Sequence, residues 1–156
     1  MPLQIISVGQ KPPRWCDLAL DECLKNLQHF TKVTLTDIPI SSNHKSNNIP
    51  AAQKEEADAI LRHIPKDAYV IALDEKGKHF TSMLLAQQLN KWLVHHSKLT
   101  FIIGGPAGLH DSCYQRANAL WSLSDLTFPH RFVKIILVEQ LYRAYSILNN
   151  HPYHRE

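Results

Sequence analysis

Short apolar segments alternate along this chain with segments in which apolar residues recur every three or four positions. The apolar segments have the length of buried strands, and the others have the period of an amphipathic helix. Strands are predicted over residues 3–9, 33–40, 69–73 and 99–103, and helices over residues 15–30, 51–63, 84–93 and 133–148. Thr81 or Ser82 is predicted to cap the third of these helices. Strands and helices that alternate in this way are typical of an α/β domain with a mostly parallel sheet.

Length and composition restrict the class of protein further. The 156 residues are expected to form a single domain, 1–156, because domains commonly contain about 100–200 residues. No apolar run approaches the roughly 20 residues of a membrane-spanning helix, and the first residues lack the pattern of a secretory signal. Three cysteines without CxxC spacing argue against disulfides and against structural zinc. We therefore expect a cytoplasmic protein with no metal and no membrane partner, and the net charge of +3 weakly favours a polyanionic partner.

Three of the five glycines follow the predicted strand 99–103 within five residues, as Gly104, Gly105 and Gly108. Glycine allows another molecule to approach the backbone closely, and ligands of open α/β sheets bind beyond the carboxyl ends of the strands. The pattern is neither GxGxxG nor a Walker A loop, so it does not indicate a dinucleotide or P-loop nucleotide. A ligand loop and a simple tight turn both remain open from the residues alone.

Two further polar segments carry weaker signals. Residues 74–78 follow the predicted strand 69–73 and are interpreted as a turn. Asp74 and Glu75 are adjacent, and adjacent side chains of an extended chain point to opposite sides, so surface charge is preferred over a cooperating carboxylate pair. Residues 41–48 are the most polar stretch of the chain and are predicted to form a mobile loop.

The segment 121–130 combines hydroxyl groups with apolar side chains ahead of the last predicted helix. Its hydroxyls and amides suit a polar cofactor, and Leu123, Leu126 and Phe128 suit the faces of an adenine ring. Thr127 or Ser124 is expected near the helix cap, with Pro129 in the first turn. A capped amphipathic core helix is the alternative interpretation.

The C-terminal tail, residues 151–156, contains an aromatic ring, two imidazoles and a guanidinium group. Such side chains stack on bases and pair with phosphates. Together with Lys134 and Arg143 on the preceding helix they are candidates for a basic, RNA-binding patch. Metal binding by the two histidines of the tail is less favoured, because zinc sites usually have four ligands.

Five motifs occur in a specific order along the second half of the chain. They are Leu73-Asp74-Glu75-Lys76-Gly77-Lys78, Ile103-Gly104-Gly105-Pro106-Ala107-Gly108, Leu123-Ser124-x-x-Thr127-x-Pro129-His130, Glu139-Gln140-Leu141-Tyr142-Arg143-Ala144 and Pro152-Tyr153-His154-Arg155-Glu156. With these motifs the chain resembles the RlmH family, bacterial 23S rRNA pseudouridine methyltransferases of the SPOUT superfamily. The resemblance extends over nearly the whole length, although the motifs lie between Leu73 and the C-terminus.

The resemblance implies a fold, a cofactor and a reaction. The C-terminal part would be threaded as a trefoil knot, and the protein would act as a homodimer. The cofactor would be S-adenosylmethionine, and the methyl group would go to N3 of a pseudouridine in 23S rRNA of the assembled ribosome. The implied cofactor-binding residues are Leu73, Gly104, Gly105, Gly108, Leu123, Ser124, Asp125, Leu126, Thr127 and Phe128.

The chemistry of this reaction suggests candidates for the catalytic and RNA-binding residues. The acceptor N3–H must lose its proton, and His130 is the candidate for that step or for orienting the substrate. Arg155 is a second candidate catalytic residue. RNA contacts are expected from Arg143, Tyr153, His154 and Arg155, beside the cofactor of the partner subunit.

Two other functional classes fit parts of the sequence. A catalytically inactive RNA-binding module would use the basic tail alone and would bind RNA without affinity for a cofactor. A hydrolytic enzyme would pair His130 with a carboxylate such as Asp125, but the chain has no GxSxG nucleophile motif.

Overall fold

The computed structural model describes residues 2–154 of the chain. The strands are β1 (Leu3–Val8), β2 (Val33–Ile38), β3 (Tyr69–His79), β4 (Leu99–Ile103) and β5 (Ala119–Ser122). The helices are α1 (Arg14–Leu27), α2 (Ile49–His63), α3 (Ser82–His95), α4 (Asp111–Arg116) and α5 (His130–Leu148), with 3-10 turns at Ser42–His44 and Pro152–His154. Strands and helices therefore alternate as the sequence pattern predicts.

The five strands form one sheet in the order β2-β1-β4-β3-β5, and every neighbouring pair is parallel. The predicted α/β class with a mostly parallel sheet is thus confirmed. The central strands β1 and β4 are in register from Leu3 opposite Leu99 to Ser7 opposite Ile103. Because the strands are parallel, all of their carboxyl ends lie along the same edge of the sheet.

Alternate residues of each central strand face the two sides of the sheet. On one side Leu3, Ile5 and Phe101 pack with apolar residues of α1, α3 and α5. On the other side Ile6 and Ile102 pack with residues of α2 and α4. The domain is therefore a three-layer arrangement in which helices cover both faces of the sheet, which explains why the strands read as almost continuous apolar runs.

Strand β3 is longer than expected, because the predicted turn 74–78 is part of it. Leu73 and Lys78 both pair with Trp121 of β5, so the register shifts between them and the chain bulges. Gly77 lies against the β5 backbone, and a Cβ atom there would be 2.5 Å from the Trp121 nitrogen. The turn prediction was wrong because pairing with β5, a distant strand, extends this polar segment.

Other local differences concern the ends of elements. Helix α3 begins after Thr81, whose Oγ1 accepts a hydrogen bond from the Leu84 N–H (3.2 Å), so this cap prediction is confirmed. Helix α5 begins at His130 with Pro129 as its cap residue and no side-chain cap, so the caps expected from Thr127 or Ser124 were wrong. Helix α4 and strand β5 were not predicted at all.

The polar segment 41–48 contains a 3-10 turn that is tied to α2. Glu56 is only 3% exposed and accepts hydrogen bonds from the Ser41 N–H (2.9 Å) and from His44 Nε2 (2.8 Å). Asn43 Nδ2 donates to Glu55 Oε2 (2.8 Å). These contacts give a definite structure to the stretch that was expected to be mobile.

Within the described part of the chain, no helix is both long and apolar enough to span a bilayer. The threading of a trefoil knot stays an implication of the family resemblance.

Candidate functional site

A cavity of about 520 Å³ opens at the carboxyl edge of the sheet, beside the bulge of β3 and the ends of β4 and β5. Its walls come from Leu73 to Glu75 on β3, the glycine loop after β4, the segment after β5, and the start of α5. Of the residues expected to bind a cofactor, nine line this cavity: Leu73, Gly104, Gly105, Gly108, Leu123, Ser124, Leu126, Thr127 and Phe128. The parallel sheet brings them together because it places the three loops side by side.

The glycine loop makes one wall of the cavity and is too crowded for side chains at two points. A Cβ atom on Gly105 would lie 2.8 Å from Val8 Cγ1, and one on Gly104 would lie 3.1 Å from Leu109 Cγ. Gly108 has a φ of +75°, which glycine adopts without strain. Its N–H donates to the Gly105 carbonyl (2.9 Å) and closes the turn. The glycine loop is therefore both a tight turn and a wall of the cavity.

Gln53 of α2 fastens the glycine loop from outside the cavity. Its Nε2 donates hydrogen bonds to the carbonyl oxygens of Ala107 (2.9 Å) and Leu109 (3.3 Å), on either side of Gly108. The sequence analysis missed this residue, since Gln53 is more than fifty positions from the loop and no local pattern distinguishes it from other helical glutamines.

The segment after β5 makes the opposite wall. Ser122 Oγ donates to the Ser124 carbonyl (3.0 Å), and Ser124 Oγ accepts from the Leu126 N–H (3.0 Å). Asp125 does not line the cavity with its neighbours. Its side chain is 92% exposed and lies 2.8 Å from His79 Nε2. The structure therefore brings the segment to the cavity but turns Asp125 outward.

A carboxylate and a phenol share the floor of the cavity near the end of β3. Tyr114 donates its hydroxyl to Asp74 Oδ1 (2.9 Å), and both residues line the cavity. Burial and then the hydrogen bond to Asp74 raise the pKa of Tyr114 to about 12. Asp74 is therefore half-buried in the cavity wall, and Glu75 beside it also lines the cavity. The interpretation as plain surface charge was therefore wrong for Asp74, whereas Glu75 is exposed.

His130 lies at the mouth of the cavity as the first residue of α5. The ring packs against Gly9, where a Cβ atom would be only 2.6 Å from Nε2. Burial, and then the nearby charges of Arg131 and Lys134, lower the pKa of His130 below its ordinary value. The imidazole is therefore neutral near pH 7 and able to accept a proton. Since Asp125 pairs with His79, the His130–Asp125 pair of the hydrolytic alternative is not formed.

Arg143 and Tyr153 lie together at the other end of α5. The guanidinium carbon of Arg143 is 4.9 Å from the centre of the Tyr153 ring. Both groups contact Glu139 Oε1, Arg143 through Nη2 (3.1 Å) and Tyr153 through its hydroxyl (2.6 Å). The hydrogen bond to Glu139, followed by burial, raises the pKa of Tyr153 to about 12.

This cluster is distant from His130 within one chain. Arg143 lies thirteen positions after His130 on the same continuous helix, which corresponds to about 20 Å along the helix axis. RNA contacts were also expected from His154 and Arg155, but the side chain of His154 and all of Arg155 lie outside the described part of the chain. Across residues 2–154, no group of three or more His, Cys, Asp or Glu side chains is placed to hold a metal ion.

Comparison with known proteins identifies similar chains over the full length. The profile of the family described as Predicted SPOUT methyltransferase matches residues 1–154. The chain is 42% identical over 156 residues to a protein of Thioalkalivibrio sulfidiphilus and 43% identical over 156 residues to one of Methylobacillus flagellatus, with 100% of both chains covered in each case. Both relatives are named Ribosomal RNA large subunit methyltransferase H.

One solved structure shares the fold at low sequence identity. It is a probable methylase family protein from Haemophilus influenzae, with a TM-score of 0.55 and 11% identity. The match covers 99% of this chain and 70% of that chain. At this identity the similarity concerns the fold alone.

We predict that Gln53→Leu loosens the glycine loop. The substitution removes two hydrogen bonds, each of which contributes about 0.5–1.5 kcal/mol, so the amide of Gly108 should exchange with deuterium at least about fivefold faster. Hydrogen exchange followed by NMR measures this rate. Gln87→Leu, at an exposed position of α3, is the matched control. Equal exchange at Gly108 in the wild type and in Gln53→Leu would contradict the clamping role of Gln53.

Proposed function

This chain belongs to the family of SPOUT methyltransferases, and from that premise we propose that it methylates N3 of a pseudouridine in 23S rRNA of the assembled ribosome. The observation that carries the proposal is identity of about 40% over the whole chain to relatives named as large-subunit ribosomal RNA methyltransferases. The net charge of +3 agrees with a polyanionic substrate. A ribosomal substrate also favours the expected cytoplasmic location.

The cavity at the carboxyl edge fits S-adenosylmethionine, the cofactor of this family. Its volume of about 520 Å³ lies within the usual range for small-molecule sites, about 300–1,000 Å³. Leu123, Leu126 and Phe128 present apolar surface for an adenine ring, and the loop backbones present amides and carbonyls for its polar edge. Asp74 and Glu75 place negative charge in the same cavity, which suits a cationic sulfonium ligand.

Each part of the cavity has a proposed task in the reaction. When bound, S-adenosylmethionine supplies an electrophilic methyl group for in-line displacement, a reaction that depends on positioning. Gly104, Gly105 and Gly108 allow close approach to the loop backbone. His130, neutral because its pKa is lowered, takes the imide proton of the acceptor base or orients that base.

We also propose that the protein works as a homodimer. Trp15, Leu18 and Phe132 are 52%, 58% and 37% exposed, and the rings of Trp15 and Phe132 lie 5.3 Å apart. A second copy that covered this surface of α1 and α5 would remove it from water, and twofold dimers are the commonest oligomers. The distance of about 20 Å between Arg143 and His130 supports a site in which the tail of one subunit serves the cavity of the other.

The tail residues are then the proposed RNA contacts. Arg143 and Tyr153 form a cation–π pair at the surface, and both side chains suit phosphate or base contact. His154 and Arg155 continue the same segment, and Arg155 is proposed to act next to the reacting base. The proposal for these two residues rests on the family motif, because their side chains are outside the described part.

Transfer of a labelled methyl group tests the function directly. Wild-type protein with tritiated S-adenosylmethionine should label ribosomes that lack the modification, and digestion should recover the label as N3-methylpseudouridine. Free 23S rRNA is the comparison substrate and should be labelled less. RNA binding without transfer, despite competent ribosomes, would instead favour the inactive RNA-binding module.

We predict that His130→Gln lowers turnover much more than it lowers cofactor affinity. General-base catalysis contributes about 10²- to 10⁴-fold, and glutamine keeps a polar side chain without a titratable ring. Single-turnover methylation measures the rate, and calorimetry measures the dissociation constant of S-adenosylmethionine.

The pH dependence gives an independent readout for His130. Because the pKa of His130 is lowered, the acid limb of the wild-type rate, where the imidazole becomes protonated, should lie at a lower pH than an ordinary histidine would give. This acid limb should be absent in His130→Gln. Equal turnover of the two proteins, or an identical acid limb, would remove His130 from the reaction.

We predict that two defective variants complement each other in a mixed dimer. His130→Ala and Arg143→Ala homodimers should each be weakly active, since each site lacks one group. In a heterodimer isolated with two affinity tags, one site regains both native residues and the other lacks both, so the rate should recover to about half of the wild type. A heterodimer no more active than its parents would place the two residues in the same chain's site or exclude one of them.

A further inference from the structure

A second cavity, of about 550 Å³, lies beside the first at the carboxyl ends of β1 and β2. The loop after β1, the first turns of α1 and the start of α5 form its walls. Within the described residues, His130 is the one residue that lines both cavities. None of the proposed cofactor-binding residues lines the second cavity.

The partition between the two cavities is thin because glycine forms it on both sides. The His130 ring occupies the position that a side chain on residue 9 would need, because a Cβ atom on Gly9 would lie 2.6 Å from His130 Nε2. Gly105 likewise lies close to Val8, because a Cβ atom on Gly105 would be 2.8 Å from Val8 Cγ1. Groups bound in the two cavities can therefore approach each other next to one imidazole.

The second cavity combines an apolar floor with nearly balanced charge. Leu20 and Ile38 are 8% and 3% exposed and Leu35 is half-buried, and these three side chains give flat apolar contact. Asp37 Oδ1 accepts hydrogen bonds from Lys134 Nζ (2.8 Å) and Ser7 Oγ (3.3 Å). Lys134 thereby compensates the negative charge of Asp37, which lines the cavity although its side chain is 70% exposed.

The rim of the cavity is different from its floor. Lys11 and Arg131 are exposed at the opening and can neutralise phosphates. Asp17 and Asp21 of α1 also line it, so a fully anionic ligand would be repelled on that side. The arrangement suits a nucleotide whose uncharged heterocyclic base lies inside the cavity and whose phosphates lie at the basic part of the rim.

We propose that this second cavity is the acceptor subsite, which receives the flipped-out uracil-type base of the RNA next to His130. The inference rests on the proposed function. Enzymes that modify a base remove it from the stack, hold it against apolar side chains and hydrogen-bond its polar edge. An imide edge offers both N–H donors and carbonyl acceptors, which match the carboxylate of Asp37 and the ammonium of Lys134.

The two-cavity arrangement also explains the position of His130. A methyl donor and a methyl acceptor must occupy adjacent compartments, and the proton leaves the acceptor at the place where they meet. His130 stands at that place as the shared wall, whereas a base placed entirely in the cofactor cavity would compete with the donor for the same space.

Photo-crosslinking to ribosomes tests the location of the RNA without relying on turnover. A benzophenone amino acid replaces Gln10, at the rim of the second cavity, or Gln87, on exposed α3, as the matched control. Irradiation of complexes with ribosomes lacking the modification should join position 10, but not position 87, to the target nucleotide or its direct neighbours. A position-10 variant that still methylates ribosomes but crosslinks elsewhere, or not at all, would overturn the acceptor subsite.

Kinetics of a cavity-filling variant give a second test. Leu35→Trp should occupy the apolar floor, raise the KM for ribosomes or lower kcat at least about tenfold, and leave the calorimetric affinity for S-adenosylmethionine within about threefold. If Leu35→Trp does not fold, Lys11→Ala replaces it, and Lys32→Ala, an exposed lysine outside both cavities, controls for the lost charge. Unchanged ribosome kinetics in Leu35→Trp, or equal effects of the two lysine variants, would overturn the inference.

The wild-type reaction separates the two levels of the proposal. Ribosome methylation by the wild type together with a negative result in either cavity test would overturn the acceptor subsite and leave the proposed function standing. Absence of methylation by the wild type would overturn the proposed function, and the acceptor subsite with it.

Discussion

The parallel pairing of all five strands is the constraint on which the rest of this structure depends. Each parallel connection needs a crossover helix, so the helices cover both faces of the sheet and leave its carboxyl edge to the loops. The glycine loop after β4 and the segment after β5 meet there, although α4 and β5 lie between them in the chain. The cavity is thus a consequence of strand direction, and its chemistry depends on the side chains that the loops carry.

The contacts around His130 show how this edge is divided. Gly9 removes the Cβ that would collide with the imidazole, and partial burial with neighbouring positive charge favours the neutral ring. Desolvation and like charge act in the same direction on a histidine, and both lower its pKa. One residue at the start of α5 therefore separates the two cavities, and its surroundings favour the uncharged ring.

Helix α5 carries two proposed functional groups, His130 and Arg143, that lie too far apart to serve the same cavity within one chain. His130 is the first residue of α5. Arg143 lies toward the other end of the helix, where it and Tyr153, which follows the helix, both contact Glu139. A continuous helix is rigid over this length, so a second subunit offers the simplest way to bring the two groups together. The exposed Trp15 and Phe132 on α1 and α5 provide an apolar surface on which such a subunit could be seated.

The sequence by itself determined the features that depend on neighbouring residues. The four apolar strands, the main helices, the Thr81 cap and the glycine turn follow from periodicity and from local backbone preferences, and the ordered motifs indicated the family. Only the tertiary structure decided that residues 74–79 continue β3, that Asp125 turns away to His79, and that Gln53 clamps a loop more than fifty residues away. These features depend on contacts between segments distant in sequence, and a local pattern carries no information about which distant backbone will supply the partner.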